Sequence, residues 1–352
     1  MPAMEECAAR LQPVNPLDFP NWDALIQAHP GFSIFHSAAW AKVLSATYGF
    51  VPAYLLSRGG GSAPALLPLM ETQSWLRGLR GISLPFTDDC PPLYSSPAAG
   101  RELVENAFAL GRERRWKFVE IRGGHELIPG APASLSFYGH RISLEGGEAS
   151  LFDRLDGSVR RAIRKAEKSG VTVSVSEGLE AVKTFYQLQC KTRKKHGLPP
   201  QPFRFFKNIW EHLLSNHMGV VVVAGFNGRP VAASVYFKAG RQSVYKYGAS
   251  DEAFQHWRGA NLVMWTAMKH LAAAGATTLN LGRTSLANEG LRRFKLGWGA
   301  REFVINYMKY DLNRRAFITE TDEATGWHNR VFRTLPTAAS RAIGAVLYRH
   351  WA

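Results

Sequence analysis

Residues 261–284 read NLVMWTAMKHLAAAGATTLNLGRT. NLVMWTAMKHLAAAG (261–275) is the clearest helix in the chain, Gly275 is a natural stop, and TTLNLGRT (277–284) is the strand that follows. A helix that runs straight into a strand is the unit of an α/β fold. The same order occurs earlier. RELVENAFALGRERRW (101–116), with Leu103, Ala107 and Leu110 near helical spacing, leads into the alternating strand KFVEIRGG (117–124). The two units are offset by about 160 residues, which predicts two related α/β halves. Around the second unit, GVVVVAGF (219–226), Asn227-Gly228 and RPVAASVYFK (229–238) form a strong hairpin signal. Asn-Gly tolerates the positive φ values of the tight turn. SVYKYGAS (243–250) is a third strand. In the first third, helices are expected at 22–29 and 37–49, and strands at 53–57 and 63–71 around Gly59-Gly60-Gly61. HRISLEGGEAS, within 140–156, reads as a strand and then a loop joining the halves. The last residues look helical after Pro336, with Ile343, Val346 and Leu347 on one face. Such a helix either docks on the second half or lies on a membrane surface.

The chain has 352 residues, 46% hydrophobic and 20% charged, and three cysteines. This excludes a disordered or low-complexity chain. A formal charge of +15 points to anionic partners: nucleic acid, a phosphorylated cofactor, an anionic glycan or a membrane surface. Cys7, Cys90 and Cys190 are far apart and form no CxxC pair, so neither a zinc site nor a disulfide framework is expected. MPAMEECAAR lacks the apolar core of a secretory signal, and no run reaches the ~18–20 apolar residues of a spanning helix. A cytoplasmic location is expected, with peripheral contact with the inner membrane left open.

Four segments could carry chemistry. SVRRAIRKAEKSG (158–170) places Arg160, Arg164 and Lys168 on one helical face, flanked by Arg161 and Lys165. That face could bind phosphates, or be a solvated surface. CKTRKKHGLPPQPFRFF (190–206) ends a helix and begins a loop that could hold Arg193 or His196 over a site. In QHWRGANLVMW (255–265), Arg258, Gly259, Ala260 and Asn261 precede a helix after a strand. Free N–H groups and small residues there suit a phosphate. It is a degraded match to the coenzyme A pyrophosphate cradle of GNAT N-acetyltransferases. In LNLGRTSLANEGLRRFKLGWGAREFVINYMKYDL (279–312), a strand ends at Arg283 and a short helix bears Lys295. Either cation could stabilise the oxyanion of acyl transfer. The other role considered for Lys295 is an ion pair with Glu289.

VRRAIRKAEKSGV, FYQLQCKTRKKHGLPPQPFRFF, YKYGAS, RGANLVMWTAM, LNLGRT and LRRFKLGWG, in this order, resemble the FemAB family and its GNAT-superfamily relatives. FSIFHSAAWAKVLSATYGFVPAYLL with ALLPLMET looks like that family's opening domain. The greatest likeness is to FemAB-like proteins associated with exosortase and exopolysaccharide systems. The resemblance implies two tandem GNAT-like domains, at 1–145 and 146–315, with a helical tail at 316–352. It implies N-acyl transfer from acetyl-CoA or another acyl-CoA, or from aminoacyl-tRNA. The acceptor would be an amine of a cell-envelope or exopolysaccharide precursor, free or linked to a nucleotide or lipid glycan carrier; no metal is required. The family's transition-state lysine maps onto Lys295, and a basic residue that binds acceptor phosphate falls at Lys42. Tyr247 is a candidate to protonate the leaving group. Close relatives carry Asp where this chain has Asn280, which cannot act as a general base and leaves Asp251 and Glu289 as the nearby carboxylates. Two other classes stay open: a nucleic-acid-binding protein, and a catalytically silent protein on a transferase fold.

Overall fold

The structure, a computed structural model, describes residues 10–57, 63–75, 77–322 and 332–351. The chain divides into two compact units. Of the described residues, the first unit holds those within 10–136 and 305–322, and the second those within 137–304 and 332–351. The expected boundaries at 145 and 315 are therefore displaced, because after residue 304 the chain returns to the first unit.

The first unit contains β1 (Pro13–Val14), α1 (Trp22–Ile26), α2 (Ala38–Tyr48), β2 (Val51–Pro52), β3 (Tyr54–Ser57), β4 (Ala65–Leu67), β5 (Met70–Ser74), β6 (Gly78–Ile82), α3 (Pro97–Glu113) and β7 (Phe118–Arg122). Strands β1, β3 and β4 form a small antiparallel sheet, while β2, β5, β6 and β7 run in order in a second, mixed one. The single strand expected over 63–71 is thus two strands in different sheets, broken at Pro68, which cannot donate to a ladder. The triple-glycine turn lies outside the described residues. Helix α3 starts earlier than its apolar spacing suggested, because Ser96 caps it through Ala99 N–H and Pro97 occupies the first turn. Its buried face, including Leu103, Ala107 and Leu110, packs in one cluster with Val119 and Ile121 of β7.

The second unit contains β8 (Leu135–Ser143), α4 (Gly147–Asp153), α5 (Gly157–Lys168), β9 (Thr172–Ser176), α6 (Leu179–Lys195), α7 (Phe203–His212), β10 (Gly219–Phe226), β11 (Arg229–Ala239), β12 (Gln242–Ser250), α8 (Gly259–Ala273), β13 (Thr278–Ser285), α9 (Glu289–Leu296) and the first residues of β14 (Arg301–Asp311). The expected loop after the 140s strand is helix α4. Sheet order is β8-β13-β12-β11-β10-β9, and every pair is antiparallel except β12 with β13. The crossover between that parallel pair is α8, buried along Leu262, Val263, Met264, Ala267, Met268 and Leu271. In the first unit, β6 and β7 are likewise parallel and α3 connects them. The hairpin–helix–parallel-strand unit therefore occurs in both halves, as the offset helix-and-strand pattern predicted.

The C-terminal helix (Thr337–Trp351) belongs to the second unit and packs against α6. Its buried residues are Ser340, Gly344 and Tyr348, whereas Val346 is 65% exposed. The expected Ile343–Val346–Leu347 face is not the docking face. The helix lies too close for large side chains: a Cβ on Gly344 would stand 2.1 Å from the Pro200 carbonyl oxygen.

Candidate active site

The site begins with how β12 and β13 separate. They pair only from Gln242–Thr278 to Val244–Asn280, although β12 continues to Ser250 and β13 to Ser285. On its other edge β13 pairs with β8 along its whole length, from Thr278–Ser143 to Ser285–Phe137, with an irregularity between Asn280 and Arg283. Gly282 sits there at φ +69°, and Asn280 Oδ1 accepts from Gly282 N–H at 2.8 Å. Asn280 therefore shapes the bulge by accepting a hydrogen bond, a task any side-chain oxygen at this position performs. Ligands of open α/β sheets bind where neighbouring strands part at their carboxyl ends.

Helix α8 starts beside the end of β12. A short turn, Glu252–Trp257, is capped by Asp251, and Arg258 takes the left-handed conformation at φ 58° before Gly259 opens the helix. Gly259 is buried, and a Cβ there would stand 3.0 Å from Val231 Cγ2. Glycine lets α8 approach the sheet closely. Arg258, Gly259, Ala260 and Asn261 border a pocket of about 170 Å³ against Val231 and Ala232 of β11. Arg258 and Asn261 also border a larger cleft, of about 750 Å³, between α5 and α9.

Lys295 is 4% exposed, and its Nζ donates to the main-chain oxygens of Gly282 (2.9 Å) and Arg283 (3.0 Å). The β13 bulge thus holds a buried ammonium. Glu289, the alternative partner, is bound by Arg292 instead. Arg292 also grips Glu302 through two hydrogen bonds of 2.8 and 2.9 Å, and His140 Nε2 lies 3.1 Å from the same carboxylate. Those Arg292 bonds hold the Glu302 carboxyl below its ordinary range. Burial and the Lys295 charge push the His140 imidazole down, toward its neutral form. Sequence reading missed His140 and Glu302: each sits in a strand, and nothing in the spacing links positions so far apart. Arg283 is exposed, its guanidinium 4.2 Å from the Phe137 ring centroid. Tyr247 is half-buried among Phe185, Phe205 and Phe206. Asp251 accepts from Lys191 at 2.5 Å, which lowers its carboxyl and makes it a weak base.

The other cations are dispersed. In α5, burial of Val159, Ile163 and Ala166 turns Arg161 and Lys165 into the larger cleft. Arg160 faces Asp153 at 3.9 Å, Arg164 lies over the Phe152 ring, and Lys168 is exposed near the helix end. Arg193 is inside α6 rather than in a loop, and donates to the Tyr348 hydroxyl at 2.6 Å, tying down the C-terminal helix. His196 caps α6 at the surface. Lys42 is exposed on α2, in the first unit. Among the described residues no cluster of His, Cys, Asp or Glu could hold a metal ion, and no helix is long and apolar enough to cross a membrane.

Residues 154–303 match the family model of the acetyltransferase (GNAT) domain. The crystal structure of FemX is similar, with a TM-score of 0.65 at 16% identity, over 81% of this chain and 94% of that one. The C-terminal domain of a putative lysylphosphatidylglycerol synthetase from Agrobacterium fabrum has a TM-score of 0.53 at 14% identity, covering 76% of this chain and 86% of that one. A tandem GNAT protein from the clavulanic acid biosynthesis pathway has 0.52 at 9%, covering 86% and 98%. At these identities the likeness is one of fold. No curated protein sequence matches the chain.

Proposed function

We propose that this chain, which carries a GNAT-type acetyltransferase domain over residues 154–303, is an N-acyltransferase. The observation that carries the reading is the parting of β12 from β13 after Val244–Asn280, next to the pocket bordered by Arg258–Asn261. The donor is acetyl-CoA or another acyl-CoA. Its phosphates lie at the start of α8, where Arg258 and unpaired helix N–H groups favour negative charge. Its acyl end enters between the parted strands. An amine nitrogen bonds to the acyl carbon, the carbon–sulfur bond breaks, the amine proton is lost to solvent, and the released thiolate takes one proton from the Tyr247 hydroxyl, which solvent reprotonates. Lys295 supplies a fixed positive charge at the β13 bulge as negative charge develops on the acyl oxygen. Arg283 adds to that field, and Tyr247 returns a proton to the leaving group. The acceptor is an amine of an anionic cell-envelope or exopolysaccharide precursor, small or carried on a nucleotide or lipid, with the basic residues of α5 and α6 as its phosphate contacts in the second unit; Lys42 is a separate candidate phosphate contact on the first unit. A cytoplasmic location, in reach of the inner membrane, is part of this reading.

A second donor, aminoacyl-tRNA, is favoured by the size and charge of the cleft that adjoins the pocket. Calorimetric titration with acetyl-CoA and with an aminoacylated RNA hairpin separates the two. Arg258→Gly is expected to weaken the true donor at least tenfold. Absence of binding by either donor, with no transfer to any amine, overturns the reading.

A further inference from the structure

One end of the first unit's larger sheet carries a charge pattern that acyl transfer leaves unused. Three connections meet there. The β5–β6 hairpin pairs Ser74 with Gly78 and holds Trp75 and Arg77 at its tip. The link from α3 to β7 runs through Arg115 and Lys117. The turn from β14 to β15 (Ala316–Phe317) carries Arg314 and Arg315. Backbone bonds hold the three side by side: Lys117 N–H donates to the Leu79 carbonyl at 2.8 Å, and Leu312 N–H donates to the Lys117 carbonyl at 3.0 Å. Lys117 also covers the base of the hairpin, since a Cβ on Gly78 would stand 2.5 Å from Lys117 Cε.

Trp75 is 75% exposed, the most exposed large apolar side chain among the described residues. Arg77, Arg115, Lys117, Arg314 and Arg315 are all exposed. The carboxylates of this end are engaged elsewhere. Glu71 accepts from Trp116 Nε1 at 2.6 Å and faces Arg114, Glu113 pairs with Arg10, and Asp311 Oδ1 accepts from the Asn313 and Arg314 N–H groups. None of the five cations takes an ion pair among the described residues. Arg115 and Arg315 stand at φ 58° and 52°, where glycine is favoured, and the chain keeps a guanidinium at both. Whatever covers this surface must be anionic and must accept an indole. A lipid headgroup layer meets both demands: tryptophan rests at the membrane–water interface, and basic clusters are drawn to anionic lipids. RNA binders set several rings in succession along a basic groove, whereas Trp75 is a single ring at a hairpin tip. We propose that this end of the first unit docks on an anionic membrane surface, with Trp75 in the headgroup layer and the five cations over anionic lipids. Docking needs neither donor nor acceptor, so it stands apart from the acyl-transfer reading. It also assigns membrane contact to a surface other than the C-terminal helix.

The experiment is co-sedimentation of the full chain with vesicles of phosphatidylcholine alone or mixed with phosphatidylglycerol, at two salt concentrations. Wild type is expected on the mixed vesicles only, and less of it as salt rises. Trp75→Ala removes an exposed ring, so it should leave the melting temperature unchanged while weakening vesicle binding about tenfold. Arg115→Gly combined with Arg315→Gly removes two charges where the backbone favours glycine. Binding should fall about 25-fold, at about fivefold per cation. Val346→Ser, on the exposed side of the C-terminal helix, should bind as wild type does. No binding of wild type to the mixed vesicles, or binding of Trp75→Ala within about twofold of wild type, overturns the proposal. Loss of binding in Val346→Ser with Trp75→Ala unaffected overturns it as well. Retention of an RNA hairpin by this surface, without vesicle binding, assigns it to nucleic acid and has the same force. Acetyl-CoA titration of Trp75→Ala should match wild type. Absence of donor binding in a wild type that still binds vesicles counts against the acyl-transfer reading alone.

Discussion

At the scale of single residues, Lys295 carries the sharpest test. Lys295 is buried, so removing its charge also costs stability: Lys295→Met leaves the Gly282 and Arg283 carbonyls without their ammonium donor. A loss of about 1–3 kcal/mol is expected, read from urea unfolding. Under conditions where the variant is folded, single-turnover transfer should fall by ~10²–10³ with donor affinity little changed. A rate within about threefold of wild type removes the oxyanion role. Asn280 illustrates the opposite lesson. It stood out as a missing base, yet its oxygen holds the bulge on which Lys295 docks. Asn280→Asp should therefore leave stability close to wild type, within about 0.5 kcal/mol, and Asn280→Ala should cost about 1 kcal/mol. Gly259→Val is a poor probe of the phosphate pocket, since its side chain would press on Val231. Arg258→Gly is the clean one: it removes the charge at a left-handed position where glycine is favoured. It should leave thermal stability unchanged or raised by about 1 kcal/mol while donor binding falls.

At the scale of elements, periodicity located helices well and their buried faces less well. The apolar triad of the C-terminal helix looked like its docking side, but close approach selects small residues, and Gly344 meets the Pro199–Pro200 segment. Gly344→Leu should undock this helix. The expected result is a melting temperature lower by several degrees and faster proteolytic release of the tail; an unchanged melting curve would mean that the helix tolerates displacement. Helix α5 shows the same limit. Arg160, Arg164 and Lys168 share a face on paper, but Arg161 and Lys165 border the cleft. A helix with one apolar stripe has two polar flanks, and spacing cannot tell which flank a neighbouring element will cover. That neighbour, α9, arrives from more than a hundred residues downstream.

For the whole molecule, pH acts on the first unit through His36. Its imidazole is fully buried, with Nδ1 near Ser33 and Nε2 3.0 Å from the Pro91 carbonyl oxygen. Burial pushes it from 6.5 down to about 4. Between those values the unfolded chain holds a proton that the folded state does not, so stability falls as pH drops through the window, by about 3 kcal/mol in all. Asp23, raised by burial, acts in the opposite sense above its ordinary 3.8, because there the folded state holds the extra proton. Urea midpoints of wild type at pH 7, 5.5 and 4.5 should fall, and His36→Gln should flatten the decline; an equal decline in both would assign it to other groups. The alternation of helix and strand, the Asn-Gly hairpin and the repeated helix-to-strand order are local, short-range patterns. Together with the excess of cations they determined the α/β class, the two halves and the expectation of an anionic ligand. Tertiary structure decided which side of α5 becomes a wall, that Lys295 is buried on a strand bulge, and that His140 meets Glu302. Each of these joins residues far apart in the chain, and their energetics come from burial and distance, which no one-dimensional pattern contains.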